Sequence, residues 1–322
     1  VINIKVIQKL LFFAVCINFF NFAYAIEWPD TNWINERPKP DALMSAVAFV
    51  SPTDLEFYQI TALWKRLERK YRPLGVDFLI ITKNEAGLPY STDLVTAELG
   101  ITNYKSAVYI DEFSNYSKLW KAFISPTVHL VLKSGKLVGF DSNFFDPAIF
   151  EKVLQKTLKE SGAGPLPPKE LLGEGETKTC GHSHTVFLSE KYQESWGSVP
   201  LNIEGVWTPK PLWMEKKTSD SFSVETSVTR SNVALVAGSP NGASKISVTL
   251  DGLALPAEIR GRDIQVDKLG NTFIMVKTTR MYELINHSSN LRASAMKIKM
   301  ITSAKGITIW SIQTLPFCQT FS

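Results

Sequence analysis

The sequence predicts two domains in series, an α/β domain followed by an all-β domain, and three observations carry that reading. In the first half, short apolar runs alternate with a segment of helical spacing. In the second half helical periodicity nearly vanishes, and short alternating strands recur between turn residues. Between the halves, Ser161-Gly162-Ala163-Gly164-Pro165-Leu166-Pro167-Pro168 holds three prolines and two glycines, and Gly173 and Gly175 extend it. That is the composition of a linker.

In the first half, Ala46 to Val50 is a short apolar run that predicts a buried strand. Asp54 to Arg72 has helical spacing, with Leu55, Tyr58, Ala62, Leu63, Leu67 and Tyr71 largely on one face and Lys65, Arg66, Glu68, Arg69 and Lys70 on the rest. Pro73 and Gly75 stop that helix. Val76 to Thr82 and Val108 to Ile110 predict two more strands. Val128 to Leu132, Ser134-Gly135 and Lys136 to Phe140 read as strand, tight turn and strand. Phe150 to Leu158 closes the half as a helix. At the end of the first strand, Ser51 is a good N-cap, Pro52 suits a first helical position, and Asp54 completes a capping-box-like pattern. The competing reading makes Asp54 and Glu56 an acidic rim on a partner-binding groove.

In the second half the strand candidates are Phe222 to Val228, Val233 to Ala237, Ile246 to Leu250, Phe273 to Lys277, Ala295 to Ile301 and Gly306 to Gln313. Asn241-Gly242, Asp251-Gly252 and Gly270-Asn271 mark turns. This is a β-sandwich pattern. Trp196, Trp207, Trp213 and Trp310 are candidates for an aromatic platform, with core packing as the plainer use.

The first residues read as an export signal. Lys5 and Lys9 precede an uncharged run from Leu10 to Phe22, and Ala23-Tyr24-Ala25 has the small-x-small pattern of a cleavage site. The run is shorter than the ~20 residues of a membrane-spanning helix. The expectation is a soluble protein outside the cytoplasm, with no membrane span after cleavage. Hydrophobic residues make up 44% and charged residues 20% of the chain, which suits a globular protein. A net charge of +4 without a block of Lys or Arg gives nucleic-acid binding no support. Of three cysteines, Cys180 and Cys318 lie outside the signal; in an oxidising compartment they are a disulfide candidate.

The junction Phe49-Val50-Ser51-Pro52-Thr53-Asp54-Leu55-Glu56-Phe57, with Trp33-Ile34-Asn35 before it and Trp64 through Lys70-Tyr71 and Gly75 after it, resembles the periplasmic thioredoxin-like proteins of the TlpA and DipZ type. The predicted order, β-α-β then β-β-α, is that fold's plan. In the family this junction carries Cys-x-x-Cys, where a helix N-terminus favours a thiolate. Counting back from Lys70-Tyr71 puts Asp54 and Phe57 at the two cysteine positions and Leu55 and Glu56 between them. With no sulfur there, thiol–disulfide exchange at this site is excluded. Ser125-Pro126-Thr127, ahead of a strand, matches the family's cis-proline loop, which implies a strand edge where extended peptides pair. The hairpin Lys133 to Gly139 also matches. Pro200-Leu201, Gly205-Val206-Trp207, Val233 to Gly238, Val248 to Gly252, Gly261 to Ile264 and Met281 to Ile285 follow the order of the β domain in DipZ-type proteins. That domain is a jelly-roll-like sandwich of carbohydrate-binding-module type. The resulting division is a signal at 1–25, a thioredoxin-like domain at 26–160, a linker at 161–178 and a sandwich at 179–322.

Cys180-Gly181-His182-Ser183-His184 places a thiol and two imidazoles on alternate residues, a partial ligand set for zinc or copper without a fourth member. No metal site and no cofactor are predicted from it. There is no Gly-rich phosphate loop, Gly-x-Ser-x-Gly elbow or paired-carboxylate signature. The function expected is protein or peptide binding in the cell envelope, with an unidentified envelope protein as partner. Thiol chemistry through Cys180 or Cys318 and glycan binding by the sandwich are the competing classes.

Overall fold

A computed structural model of the chain describes residues 28–85, 88–123, 125–138, 147–168, 184–188, 201–211, 213–216, 218, 220–229, 231–286 and 295–316. The expected export signal, most of the linker, Cys180, His182, Trp196, His287 and Cys318 lie outside these residues.

The first domain is built on β1 (Trp33–Ile34), β2 (Met44–Val50), β3 (Val76–Lys83), β4 (Val108–Asp111), β5 (Thr127–Leu132) and β6 (Leu137–Val138), in the order β1-β4-β3-β2-β5-β6. Strands β2, β3 and β4 are parallel; β5 is antiparallel to β2, and β1 and β6 are antiparallel to their neighbours. With helices on both faces, this is a thioredoxin-like α/β fold. The central strands are buried on both faces and read as continuous apolar runs. Met44, Ala46, Ala48 and Val50 of β2 face one layer, while Val47 and Phe49 face the other.

Helix α1 (Leu55–Tyr71) buries Phe57, Ile60, Leu63, Trp64, Leu67 and Tyr71 against that sheet. It ends in a 3₁₀ turn at Arg72–Leu74, and Gly75 follows with φ +82°. Helix α4 (Pro147–Glu160) adds Phe150, Leu154 and Leu158 to the same layer, Phe150 stacking on Trp64 at 5.3 Å. Glu151, 3% exposed, accepts hydrogen bonds from Lys70 at 2.6 Å and Tyr71 at 2.5 Å, which locks α4 to α1. The opposite layer is aromatic. Trp28, Trp33, Tyr109, Tyr116 and Trp120 pack over Phe49 and Ile81, beside the short helix α3 (Asn115–Leu119).

Helix α2 (Thr92–Thr102) was absent from the sequence expectation. Ser91 caps it by accepting from the Leu94 N–H at 3.2 Å. Its buried face is Leu94, Val95, Glu98 and Leu99. A buried carboxyl within that face breaks the apolar period that would have marked the helix.

The second domain is a sandwich. One sheet runs β17 (Arg280–Ile285), β12 (Ser231–Gly238), β19 (Thr308–Pro316), β10 (Met214–Glu215), β9 (Thr208–Pro209), with β7 (His184–Phe187) also paired to β19. The other runs β15 (Gln265–Val266), β16 (Thr272–Val276), β13 (Ser244–Leu250), β18 (Met296–Thr302), β11 (Phe222–Val228), β8 (Leu201–Glu204), with β14 (Leu253–Ala254) on β13. The six predicted strands are present, with ends shifted by up to three residues. Strand β17 was not predicted as one, because Glu283 sits among its apolar residues. The turn at Asp251-Gly252 has positive φ at both residues, +49° and +80°, as a tight hairpin requires.

The inner faces of the two sheets form one core, with Val224, Val233, Leu235, Ala237, Ile246, Val248, Ile274, Tyr282, Leu284, Ile298, Met300, Ile309 and Ile312. The first sheet is also buried on its reverse face. Ala234, Val236, Met281 and Leu315 join Leu55 and Leu88 of the thioredoxin-like domain in a separate apolar cluster.

The segment Ala257 to Asp263 lies along the outer edge of β17, where Gly261 donates to the Leu284 carbonyl at 2.9 Å and Asn286 to Ile259 at 3.0 Å. A Cβ at Gly261 would overlap the Glu283 carbonyl. Gly261→Ala is therefore expected to push this segment off β17 and to destabilise the sandwich by about 1–3 kcal/mol. Urea denaturation followed by tryptophan fluorescence measures it.

Candidate functional site

The candidate site is the junction of β2 and α1, and its local structure starts with the helix cap. Ser51 to Asp54 form a turn, with the Asp54 N–H bonded to the Ser51 carbonyl at 3.1 Å. The helix therefore begins three residues later than a Ser51 cap would place it. Asp54 is the N-cap, with an extended backbone and its carboxylate accepting from the Glu56 N–H at 3.4 Å. Ser51 instead bonds Thr53 through their hydroxyls at 3.1 Å and donates its own N–H to the Ser125 hydroxyl oxygen at 3.4 Å. The Ser125–Pro126 peptide bond is cis and stands beside this turn.

The four positions Asp54, Leu55, Glu56 and Phe57 are 3%, 2%, 4% and 0% exposed. Asp54 and Glu56 form no acidic rim, because both residues are buried. Thr127, expected at an open strand edge, is 2% exposed and opposite Phe49 in the β2–β5 ladder.

The β sandwich covers this site. Gln313 on β19 is fully buried, opposite Ala234 on the face turned toward α1. Its side-chain oxygen accepts from the Leu55 N–H at 3.2 Å, and its side-chain amide donates to the Thr53 carbonyl at 2.5 Å. A helix leaves its first N–H groups without intrahelical partners. Here Leu55 uses Gln313, Glu56 uses the Asp54 carboxylate, and Phe57 uses the Asp54 carbonyl at 3.0 Å. Sequence reasoning missed Gln313, whose contact with Leu55 spans 258 positions.

A second polar contact crosses the seam. The Glu98 carboxyl accepts from the Tyr58 hydroxyl at 2.6 Å and from the Met281 N–H at 3.0 Å. The Arg262 guanidinium lies over the Tyr58 ring at 3.7 Å and donates to Glu283 at 2.9 Å. Burial pushes the Glu98 acid up to about 7. Burial, reinforced by the neighbouring Asp54 carboxylate, lifts Glu85 to about 7 as well, against the pull of Lys83 at 3.5 Å.

The other face of the sheet offers His129, edge-on to Phe49 and Trp120, its pKa lowered by burial. A cleft of about 580 Å³ opens at the far end of the sheet between Trp28, Trp33, Pro40, Val131 and Lys133, away from the α1 N-terminus. In the sandwich, Trp207 packs on Phe222 at 3.6 Å and Trp213 lies 6.1 Å from Trp310, so these rings serve packing. Among the described residues no group of three His, Cys, Asp or Glu is placed to hold a metal. The proposed Cys180–Cys318 pair and most of the Cys180 to His184 motif lie outside them.

No protein-family model matches this sequence, and no curated protein does. Solved structures do overlap parts of it. A protein described as the thiol:disulfide interchange protein DsbE from Chlorobium tepidum shares 19% identity over 38% of this chain and 83% of its own, with a TM-score of 0.33. The thioredoxin domain of a thiol-disulfide oxidoreductase from Bacteroides vulgatus shares 10% over 37% of this chain and 81% of its own, with a TM-score of 0.32. A family two carbohydrate esterase from Cellvibrio japonicus shares 18% over 42% of this chain and 34% of its own, with a TM-score of 0.29. The thioredoxin-like assignment stands on the strand order and the flanking helices themselves.

Gln313→Ala removes both ends of its bridge and leaves a buried N–H at Leu55 and a buried carbonyl at Thr53. The expected cost to the docked state is about 2–4 kcal/mol. Limited proteolysis and denaturant unfolding should show the two domains melting apart in the variant and together in the parent.

Proposed function

We propose that this chain is an exported thioredoxin-fold protein that is redox-inactive at the usual site and works by binding in the cell envelope. The observation that carries the reading is the occupancy of the α1 N-terminus. The place where a nucleophilic sulfur would meet a substrate holds Asp54 and Phe57, and the protein's own Gln313 is bonded to the first helical N–H. A carboxylate and a phenyl ring cannot form a mixed disulfide. The site's own ligand is intramolecular, so an envelope partner meets a different surface.

That surface is the connection from β4 to β5, at the same end of the sheet. Phe113, Leu119 and Phe123 are 71%, 73% and 68% exposed there, far more than the large apolar residues around them. Exposed apolar residues on one connection favour a protein partner. Export rests on the basic, apolar and Ala-x-Ala succession at residues 1–25, and no helix of the described residues is long and apolar enough to cross a membrane.

The mature protein should not reduce insulin above the uncatalysed rate. The double variant Asp54→Cys, Phe57→Cys should also stay inactive while the sandwich is docked, since both positions are buried. Turnover by the parent protein, abolished by Cys180→Ser or Cys318→Ser, would overturn the proposal in favour of thiol chemistry elsewhere in the chain. In pull-downs from an envelope extract, exchange of Phe113, Leu119 and Phe123 for Ser should reduce partner capture at least tenfold without moving the melting temperature. Capture equal to the parent's would place the partner surface elsewhere.

A further inference from the structure

One carboxyl group, that of Glu98, is hydrogen-bonded from both sides of the seam between the domains. Glu98 is fully buried on α2 and is bonded from both sides, by Tyr58 of its own domain and by the Met281 N–H of the other. Met281 lies on β17, the outermost strand of its sheet among the described residues. Its N–H donates across the seam to Glu98 at 3.0 Å; two residues on, the Glu283 N–H finds Asp263 at 2.8 Å. The charged and titratable groups facing Glu98 are Tyr58 from α1, Arg262 from the edge segment and Arg280 from β17; Asp263 faces Tyr58, and Glu283 lies beside Arg262. Both arginines have carboxylate partners of their own, Arg262 with Glu283 and Arg280 with Asp263.

We propose that Glu98 is a proton-operated latch, which holds the β sandwich on the thioredoxin-like domain when protonated and releases it when ionised. In the protonated form one oxygen keeps the Met281 N–H and the neutral carboxyl keeps its contact with the Tyr58 hydroxyl, so no charge is buried. Ionisation puts a full negative charge into a seam lined by Leu55, Leu88, Ala234, Val236, Met281 and Leu315. Undocking returns Glu98 to water and to its ordinary acidity.

The direction follows from linkage. Burial is the largest influence on Glu98 and raises it from 4.5 to about 7, against the hydrogen bonds from Tyr58 and Met281 and the two arginines. A carboxyl raised in the docked state contributes docking that is fully present below its ordinary range and is lost as pH rises through about 7. Each pKa unit is tenfold, so with 4.5 undocked and about 7 docked the docking constant should fall by about 30-fold between pH 5.5 and 8.5. Glu85, beside Asp54 and Lys83, is raised in the same direction and is the competing source of such a fall. The test therefore separates the two acids.

The experiment is amide hydrogen exchange on the full chain at pH 5.5 and 8.5, expressed as protection factors so that the intrinsic pH dependence cancels. Leu55 and Met281 report the seam, because their N–H groups are bonded across it. Ile80, bonded to the Ala107 carbonyl inside the first domain, is the control. Protection at Leu55 and Met281 should fall about 30-fold at the higher pH, with Ile80 changing less than about threefold. Glu98→Gln preserves both hydrogen bonds and cannot ionise, so it should abolish most of the fall. Equal protection at both pH values overturns the latch, as does an equal fall at Ile80, which would report global unfolding. A Glu98→Gln variant that falls like the parent while Glu85→Gln stays flat would move the proton to Glu85 and sink the proposal. None of these outcomes depends on whether a partner is bound.

Discussion

The molecule depends on one sheet that is dry on both faces. A sandwich ordinarily turns the outer face of each sheet to water, and its strands alternate accordingly. Here the strand Ser231–Gly238 carries Val233, Leu235 and Ala237 inward and Ala234 and Val236 outward, all fully buried. The outward set needs a cover, and the N-terminal turn of the long first helix needs acceptors for its free N–H groups. Docking meets both needs at once. Burying a large apolar side chain is worth about 1.5–3 kcal/mol, so the apolar cluster supplies most of the adhesion. Gln313 and Glu98 contribute less energy and fix the register, since each must meet a particular N–H.

The same docking decides what the thioredoxin-like half can do. Its chemistry in redox-active relatives of this fold needs a sulfur held against free helical N–H groups. In this chain the first three are engaged: Leu55 with Gln313, Glu56 with the Asp54 side chain, and Phe57 with the Asp54 carbonyl. A thiolate placed there would find no free donor and no path to solvent. The residues at Asp54 and Phe57 carry no sulfur and are buried, and exchanging them for cysteine leaves the burial in place.

The sequence showed the elements better than their assembly. The apolar runs at Ala46 to Val50 and Val76 to Thr82, the amphipathic stretch ending at Pro73 and the six sandwich strands were legible because each depends on local periodicity. Helix Thr92–Thr102 and strand Arg280–Ile285 were not, and for one reason: each carries a carboxyl, Glu98 or Glu283, on a buried face. The helix start shifted from Ser51 to Asp54 because a turn competes with the cap for the same short polar residues. The seam joins residues more than 180 positions apart and leaves no local pattern. One trace was readable: Val233 to Ala237 has no polar residue on either side of its pleat, where a solvent-facing strand would alternate.

The outer strand Arg280–Ile285 is sealed by side chains and an irregular segment in place of another strand. Its N–H groups at Met281 and Glu283 end on carboxyl oxygens, and Gly261 and Asn286 close the remainder. An opened molecule would bare part of a strand edge together with the stripe of Ala234, Val236, Met281 and Leu315. That combination adheres to its own kind, edge to edge and face to face. The closed form is therefore also the form that keeps this edge and stripe covered, and high concentration should convert any lasting opening into self-association.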